Sequence, residues 1–128
     1  MQALLDTHAL LWWLDGYKRL SELARDFIGE EANTVFVSAV SAWEIPTKVR
    51  IGKLPGAVEA AAGLAAAVTS QGFTELPISI TDGTRAGSLP GPLRDPFARM
   101  LIAQAQALGV ALISKAKVFD DYAIRRLW

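Results

Sequence analysis

The sequence predicts an α/β domain built on a four- to five-stranded, mainly parallel sheet with helices on both faces. Two observations lead there. Short apolar, β-branched runs alternate along the chain with stretches of helical periodicity, the pattern of repeated strand and helix units. The 128 residues amount to about one domain and can bury a single core, so one domain over residues 1–128 is expected.

Ala3-Leu4-Leu5 reads as a buried strand stopping at Asp6, and Ala9–Leu14 as the helix that packs back on it. Asp15-Gly16-Tyr17 breaks the pattern, and Leu20–Ile28 resumes it with Ser21 placed as a cap. Thr34–Ser38 is a second buried strand, followed by a helix opening at Ser41-Ala42-Trp43-Glu44-Ile45 and running to Gly52. Pro46 lies inside that pattern and either kinks the helix or sits in an early turn. Ala57–Ser70 is expected as one alanine-rich helix ended by Gly72, Phe73–Pro77 as a short strand, and Ile80–Gly87 as a short helix. Ser88–Arg94, with two prolines, is a turn-rich loop. Asp95 as cap, Pro96 at the first helical position and Gly109 as the stop make the next helix the best specified in the chain. Val110–Ser114 is a fourth strand, and Tyr122–Trp128 is placed as a short edge strand.

Composition narrows the chemistry. Hydrophobic residues make up 52% and mean hydropathy is +0.27, a surplus that points to surface buried against a partner. The longest uncharged stretch, Ala60–Phe73, is too short and too mildly apolar to span a bilayer. No basic segment precedes the first apolar run, so no signal peptide is expected. The absence of cysteine excludes disulfides and thiolate metal sites and fits a cytoplasmic protein. Thirteen basic residues balance thirteen acidic ones, so any contact with nucleic acid must come from a local patch.

A parallel sheet brings residues that follow its strands to one edge, the edge where open α/β sheets bind ligands. Asp6, Glu44, Asp95 and Ser114 are expected there. Carboxylates joined by the hydroxyls of Thr7 and Ser114 would make an oxygen-only site, suited to Mg²⁺ or Mn²⁺. Such ions serve phosphodiester hydrolysis. No nucleophile elbow or glycine-rich phosphate loop competes with this reading. Asp6 and Asp95 also fit the plainer role of helix N-caps, and for Asp95 followed by proline the cap is the stronger reading.

The same residues carry a resemblance. Leu5-Asp6-Thr7-His8, Ser41-Ala42-Trp43-Glu44-Ile45 with Lys48 and Gly52-Lys53-Leu54, Asp95-Pro96-Phe97 with Arg99–Ala105, and Leu112-Ile113-Ser114 with Phe119 and Tyr122 together resemble the PIN-domain family. The likeness is to the VapC-type toxins of bacterial toxin–antitoxin pairs, and it covers nearly the whole chain in order. It implies a three-layer α/β/α domain and a Mg²⁺- or Mn²⁺-dependent endoribonuclease acting on structured RNA such as tRNA. It also implies a homodimer and a VapB-type antitoxin whose tail blocks the acidic pocket while its other end binds operator DNA. Asp6 matches the family's first metal acid and Glu44 its second. The third position, directly before the Arg99–Ala103 run, is Ala98, and the fourth, two residues after Ser114, is Ala116. Both have lost their carboxylates, which implies an impaired centre with Asp95 as a weaker helper. The alternative is a catalytically inactive module that binds antitoxin or RNA without cleavage.

The remaining candidates are open at this level. His8, the only histidine, is a general base or a packing residue. Trp12, Trp13 and Trp43 stack on bases or fill the core and dimer interface. Lys48, Arg50 and Lys53 hold RNA phosphates or form a solvated helix end. Asp120 and Asp121, near the fourth strand, are further acids that fit solvated charges or caps.

Overall fold

A computed structural model describes all residues from Met1 to Trp128. Five strands form one sheet: β1 (Gln2–Leu5), β2 (Thr34–Ser38), β3 (Thr74–Leu76), β4 (Ala111–Ile113) and β5 (Arg126–Leu127), in the order β3-β2-β1-β4-β5. Every pairing is parallel. β1 is central, its Leu4 opposite Phe36 on one side and Leu112 on the other. That position explains why Ala3, Leu4 and Leu5 are all fully buried, since a central parallel strand has no face left for water.

Seven helices cover the sheet: α1 (Thr7–Leu14), α2 (Glu22–Gly29), α3 (Ala39–Arg50), α4 (Val58–Ala62), α5 (Leu64–Ser70), α6 (Ile80–Ser88) and α7 (Pro96–Leu108). The strand period of two sorts the core. Ala3, Leu5, Val35, Val37 and Ile113 pack with Leu10, Ile28, Leu64 and Val68, from α1, α2 and α5. Leu4 and Leu112 point the other way, onto Leu101, Ile102 and Ala105 of α7. α3 serves both layers, giving Ile45 to the first cluster and Val40 to the second. The architecture is therefore α/β/α with a wholly parallel sheet. No helix is long and apolar enough to cross a membrane.

Two elements differ from expectation. The segment expected as one helix over Ala57–Ser70 is a 3₁₀ turn at Pro55–Ala57 followed by α4 and α5, which part at Gly63. Glycine is a poor helix former, and α4 buries no residue that would hold it in line with α5. α3 begins at Ala39, two residues early, because the Ser38 hydroxyl accepts the Val40 amide at 3.0 Å and caps the helix at the strand end itself. Pro46 does not sit in an early turn. The helix runs on through it, and Pro46 and Ala42 are both exposed, so the Ala42 carbonyl that loses its partner can take water instead.

The proline-rich loop at residues 89–95 is held by Arg99. Its guanidinium donates to the carbonyls of Ala86 at 3.0 Å, Leu93 at 2.8 Å and Leu89. One side chain thus satisfies the end of α6 and both arms of the loop, which itself lacks regular partners. Gln104, buried on α7, works similarly: it accepts from the Ser38 hydroxyl and donates to the Pro77 carbonyl at 3.0 Å and to Asp82 at 3.2 Å. Arg99→Leu is expected to lower the free energy of unfolding by about 1.5–3 kcal/mol, as for hydrogen bonds to a charged group. Urea melts give the size, and hydrogen exchange confined to residues 86–93 identifies the cause.

Candidate active site

Asp6 is the single residue between β1 and α1, and both of its carboxylate oxygens are committed. Oδ1 accepts the His8 amide at 2.7 Å, capping α1, while Oδ2 accepts the Ser114 hydroxyl from the end of β4. The Ser114 oxygen in turn accepts the Ala116 amide at 3.0 Å. The side chain that caps the helix is thus also the acid at the carboxyl edge of the sheet, and only 8% of the residue is exposed.

The neighbouring residue carries the second acid. Thr7 donates its hydroxyl proton to Glu44 Oε1 at 2.6 Å, so its oxygen is left to accept from Ser41 at 2.8 Å. Ser41 and Glu44 are three apart on α3 and share a face. Lys48, one turn further along, closes the network by donating to Glu44 Oε2. The Lys48 ammonium also lies 5.6 Å from the centre of the Phe97 ring, within cation–π range. Consecutive residues after β1 therefore hold one acid and fix the other, and no buried side-chain nitrogen or oxygen lacks a partner.

Burial raises the Asp6 carboxyl above the ordinary carboxylate value near 3.8. Hydrogen bonds from Ser114 and the His8 amide, and the charge of the His8 ring, oppose that rise, while the charge of Glu44 adds to it.

The other candidates lie in different settings. Asp95 is exposed and accepts the Phe97 amide at 3.0 Å as the cap of α7. Ala98 is half-buried against the α7 side of the core, and Ala116 is exposed. Asp120 forms a two-pronged ion pair with Arg126, at 2.8 and 3.0 Å, which holds its carboxyl below the ordinary value. His8 is exposed, its ring tilted against Trp12. Arg50 and Lys53 are exposed and outside every ion pair. Lys48 as the partner of Glu44 escaped sequence reasoning, although its spacing at i+4 could have shown it, and so did Ser41 as the partner of Thr7, which lies 34 residues away and gave no local signal. Gln104 gave no such signal, because its partners come from β2 and the segment around α6.

The donor set of Asp6 and Glu44 with the hydroxyls of Thr7, Ser41 and Ser114 consists of hard oxygens. Mg²⁺ takes such donors and is commonly held by one or two carboxylates together with substrate phosphates. Two acids meet that minimum. No group of three or more His, Cys, Asp or Glu side chains converges anywhere in the chain.

The PIN domain profile matches residues 3–125, and the chain belongs to the PIN-domain family. Its fold is similar to that of VapBC2 from Rickettsia felis bound to a DNA fragment from their promoter, with a TM-score of 0.72, 14% identity, and 99% of this chain and 98% of that one covered. FitAcB from Neisseria gonorrhoeae matches with a TM-score of 0.67 at 15% identity, covering 98% and 96%. DNA-bound VapBC from Salmonella typhimurium matches with 0.64 at 13%, covering 99% and 97%. No curated protein matches the chain. At these identities the likeness speaks for the fold.

Asp6 binds its proton more tightly in the folded chain than in the unfolded one. Its contribution to stability is therefore fully present in acid and is lost as pH rises from the ordinary value near 3.8 through the raised folded value. Asp6→Asn, which keeps a good cap, should be at least as stable as the parent at neutral pH, with its advantage growing as pH rises above about 4. Urea melts from pH 4 to 8 test this, and a difference independent of pH would contradict it.

Proposed function

We propose that this chain is a VapC-like toxin, a divalent-metal-dependent endoribonuclease acting on structured RNA such as tRNA and neutralised by a VapB-type antitoxin. The observation that carries the reading is the placing of two buried acids close together at the carboxyl edge of the sheet, Asp6 held by Ser114 and Glu44 held by Thr7, the residue next to Asp6, in a chain of the PIN-domain family. Nothing in a helix cap or a core requires two acids to be gathered there.

In this reading Asp6 and Glu44 hold a Mg²⁺ or Mn²⁺ ion, which acidifies water and neutralises charge on a phosphodiester. Ser114 fixes Asp6, and Thr7 with Ser41 fixes one oxygen of Glu44, so both ligands are held in a single geometry. Lys48 balances the Glu44 charge, and with Arg50 and Lys53 supplies positive charge for the RNA backbone. Asp95 is the weaker helper. The VapBC complexes of similar fold support an antitoxin partner, which would carry any contact with operator DNA. The surplus of apolar residues fits a homodimer.

Catalysis is impaired, because Ala98 and Ala116 stand at the family's third and fourth acid positions. One observation favours a second reading, a module that binds antitoxin or RNA without cutting: the centre has two acids rather than three or more, and one of them is already paired with Lys48.

A time course on bulk tRNA with Mg²⁺ or Mn²⁺ separates the two. The chain itself should cut weakly or not at all, and the double variant Ala98→Asp, Ala116→Asp should gain activity by at least about tenfold, since even the groups that only orient metal ligands are worth about 10- to 100-fold. A restored variant that binds antitoxin and leaves all RNA intact would favour the binding module.

A further inference from the structure

The four tryptophans are not in equivalent settings. Trp12 packs against Trp128 with ring centres 5.7 Å apart, and Trp13 is wedged between Tyr17 and Phe73 while its indole N–H bonds Gln71. Trp43 is 58% exposed. It immediately precedes Glu44, and its one aromatic contact is Phe97, at 4.8 Å and 64°. A T-shaped contact holds the indole but covers at most one of its faces. The other side of that aromatic pair is cationic, since Lys48 lies over the Phe97 ring while bonded to Glu44. Arg50 and Lys53 follow on the same helix and the turn after it, both exposed and without ion-pair partners. A large planar apolar surface is thus braced by Phe97 next to Glu44 in the chain and followed by Lys48, which is paired with Glu44, and by two unpaired positive charges.

We propose that the exposed face of Trp43 is the seat for one unpaired nucleobase of the RNA, flanking the scissile bond, with Lys48, Arg50 and Lys53 following the adjacent phosphates. The inference rests on the nuclease reading and deepens it. A base is favoured over a second protein surface because Arg50 and Lys53, which follow Trp43 on its own helix and the turn after it, are exposed cations without ion-pair partners, Glu44 is buried and paired, and a polyanion with aromatic faces matches both features. Asp95, which accepts the Phe97 amide, is the exposed acid adjoining the aromatic pair. The consequence is selectivity for structure. A base inside a duplex offers no free face, so a loop or bulge would bind where a perfect helix would not.

The test is binding without turnover, in EDTA, by anisotropy of a fluorescein-labelled single-stranded RNA 12-mer and the same strand annealed to its complement. The parent should prefer the single strand. Trp43→Leu should weaken single-strand binding by about 5- to 150-fold, the equivalent of one base–aromatic stack, and leave duplex binding unchanged, while Trp43→Phe recovers most of the loss. Because the ring is exposed, both variants should fold, and circular dichroism checks this. Equal single-strand affinity of the parent and Trp43→Leu overturns the stacking role and leaves the nucleic-acid reading standing. A shift in oligomeric state of Trp43→Leu by light scattering, with RNA affinity unchanged, assigns the surface to protein contact and also overturns it. A parent that binds neither RNA removes the nuclease reading itself, and the stacking role with it.

Discussion

A carboxylate taken out of water without partners costs more than the whole margin by which a domain of this size stays folded, so the placing of Asp6 and Glu44 constrains everything around them. Asp6 is tolerated because a helix begins beside it and a strand far along the chain ends beside it, each offering a donor. Glu44 is tolerated because α3 places Lys48 one turn further on, and because Thr7 at the start of α1, steadied by Ser41, donates to it. Neither arrangement survives a change of strand order. With β4 beside β1, Ser114 reaches Asp6, and with β2 on the other side α3 descends where Thr7 can meet it. The sheet topology and the polar network are two descriptions of one set of positions.

The network also shows how little of the site's geometry depends on the acids' own segments. Ser114 holds Asp6, Thr7 holds Glu44 and is itself held by Ser41, and Gln104 ties the end of β2 to the turn before α6. These neutral side chains keep the carboxylates in place when their charges alone would push them apart, as the contribution of Glu44 to the raised Asp6 carboxyl shows. Alanine at positions 98 and 116 puts no strain on this frame. A half-buried alanine on α7 and an exposed one after β4 are accommodated without any buried unpartnered atom.

Much of this was legible in the sequence, for identifiable reasons. Strands such as Thr34–Ser38 and caps such as Ser21 and Asp95 are local, and local chemistry fixes them. Asp6 could be read as either an acid at a sheet edge or a cap, and it is both, because one carboxylate has two oxygens to spend. The break at Gly63 was missed because alanine propensity masked it, and no buried face on α4 holds the helix together. The roles of Arg99 and Gln104 were hidden for another reason. Each side chain bonds groups 6 to 66 residues away, and periodicity carries no information at that range. The sequence likewise could not separate the tryptophans, since exposure depends on which neighbours the fold delivers.

The hydrogen bond between Asp6 and Ser114 joins residues 108 positions apart. It closes nearly the largest loop that a chain of 128 residues can contain, and closure of long loops is entropically slow and comes late in folding. β1 can pair with β2 well before this, but it then lacks its second neighbour, and Asp6 lacks the hydroxyl that makes its burial tolerable. The Thr7–Glu44 bond spans only 37 residues and needs no more than β1, β2 and the two helices that follow them. A partly folded species short of β4 can thus bring the two acids together but leaves Asp6 without its Ser114 donor, so the fully partnered centre requires the distant strand.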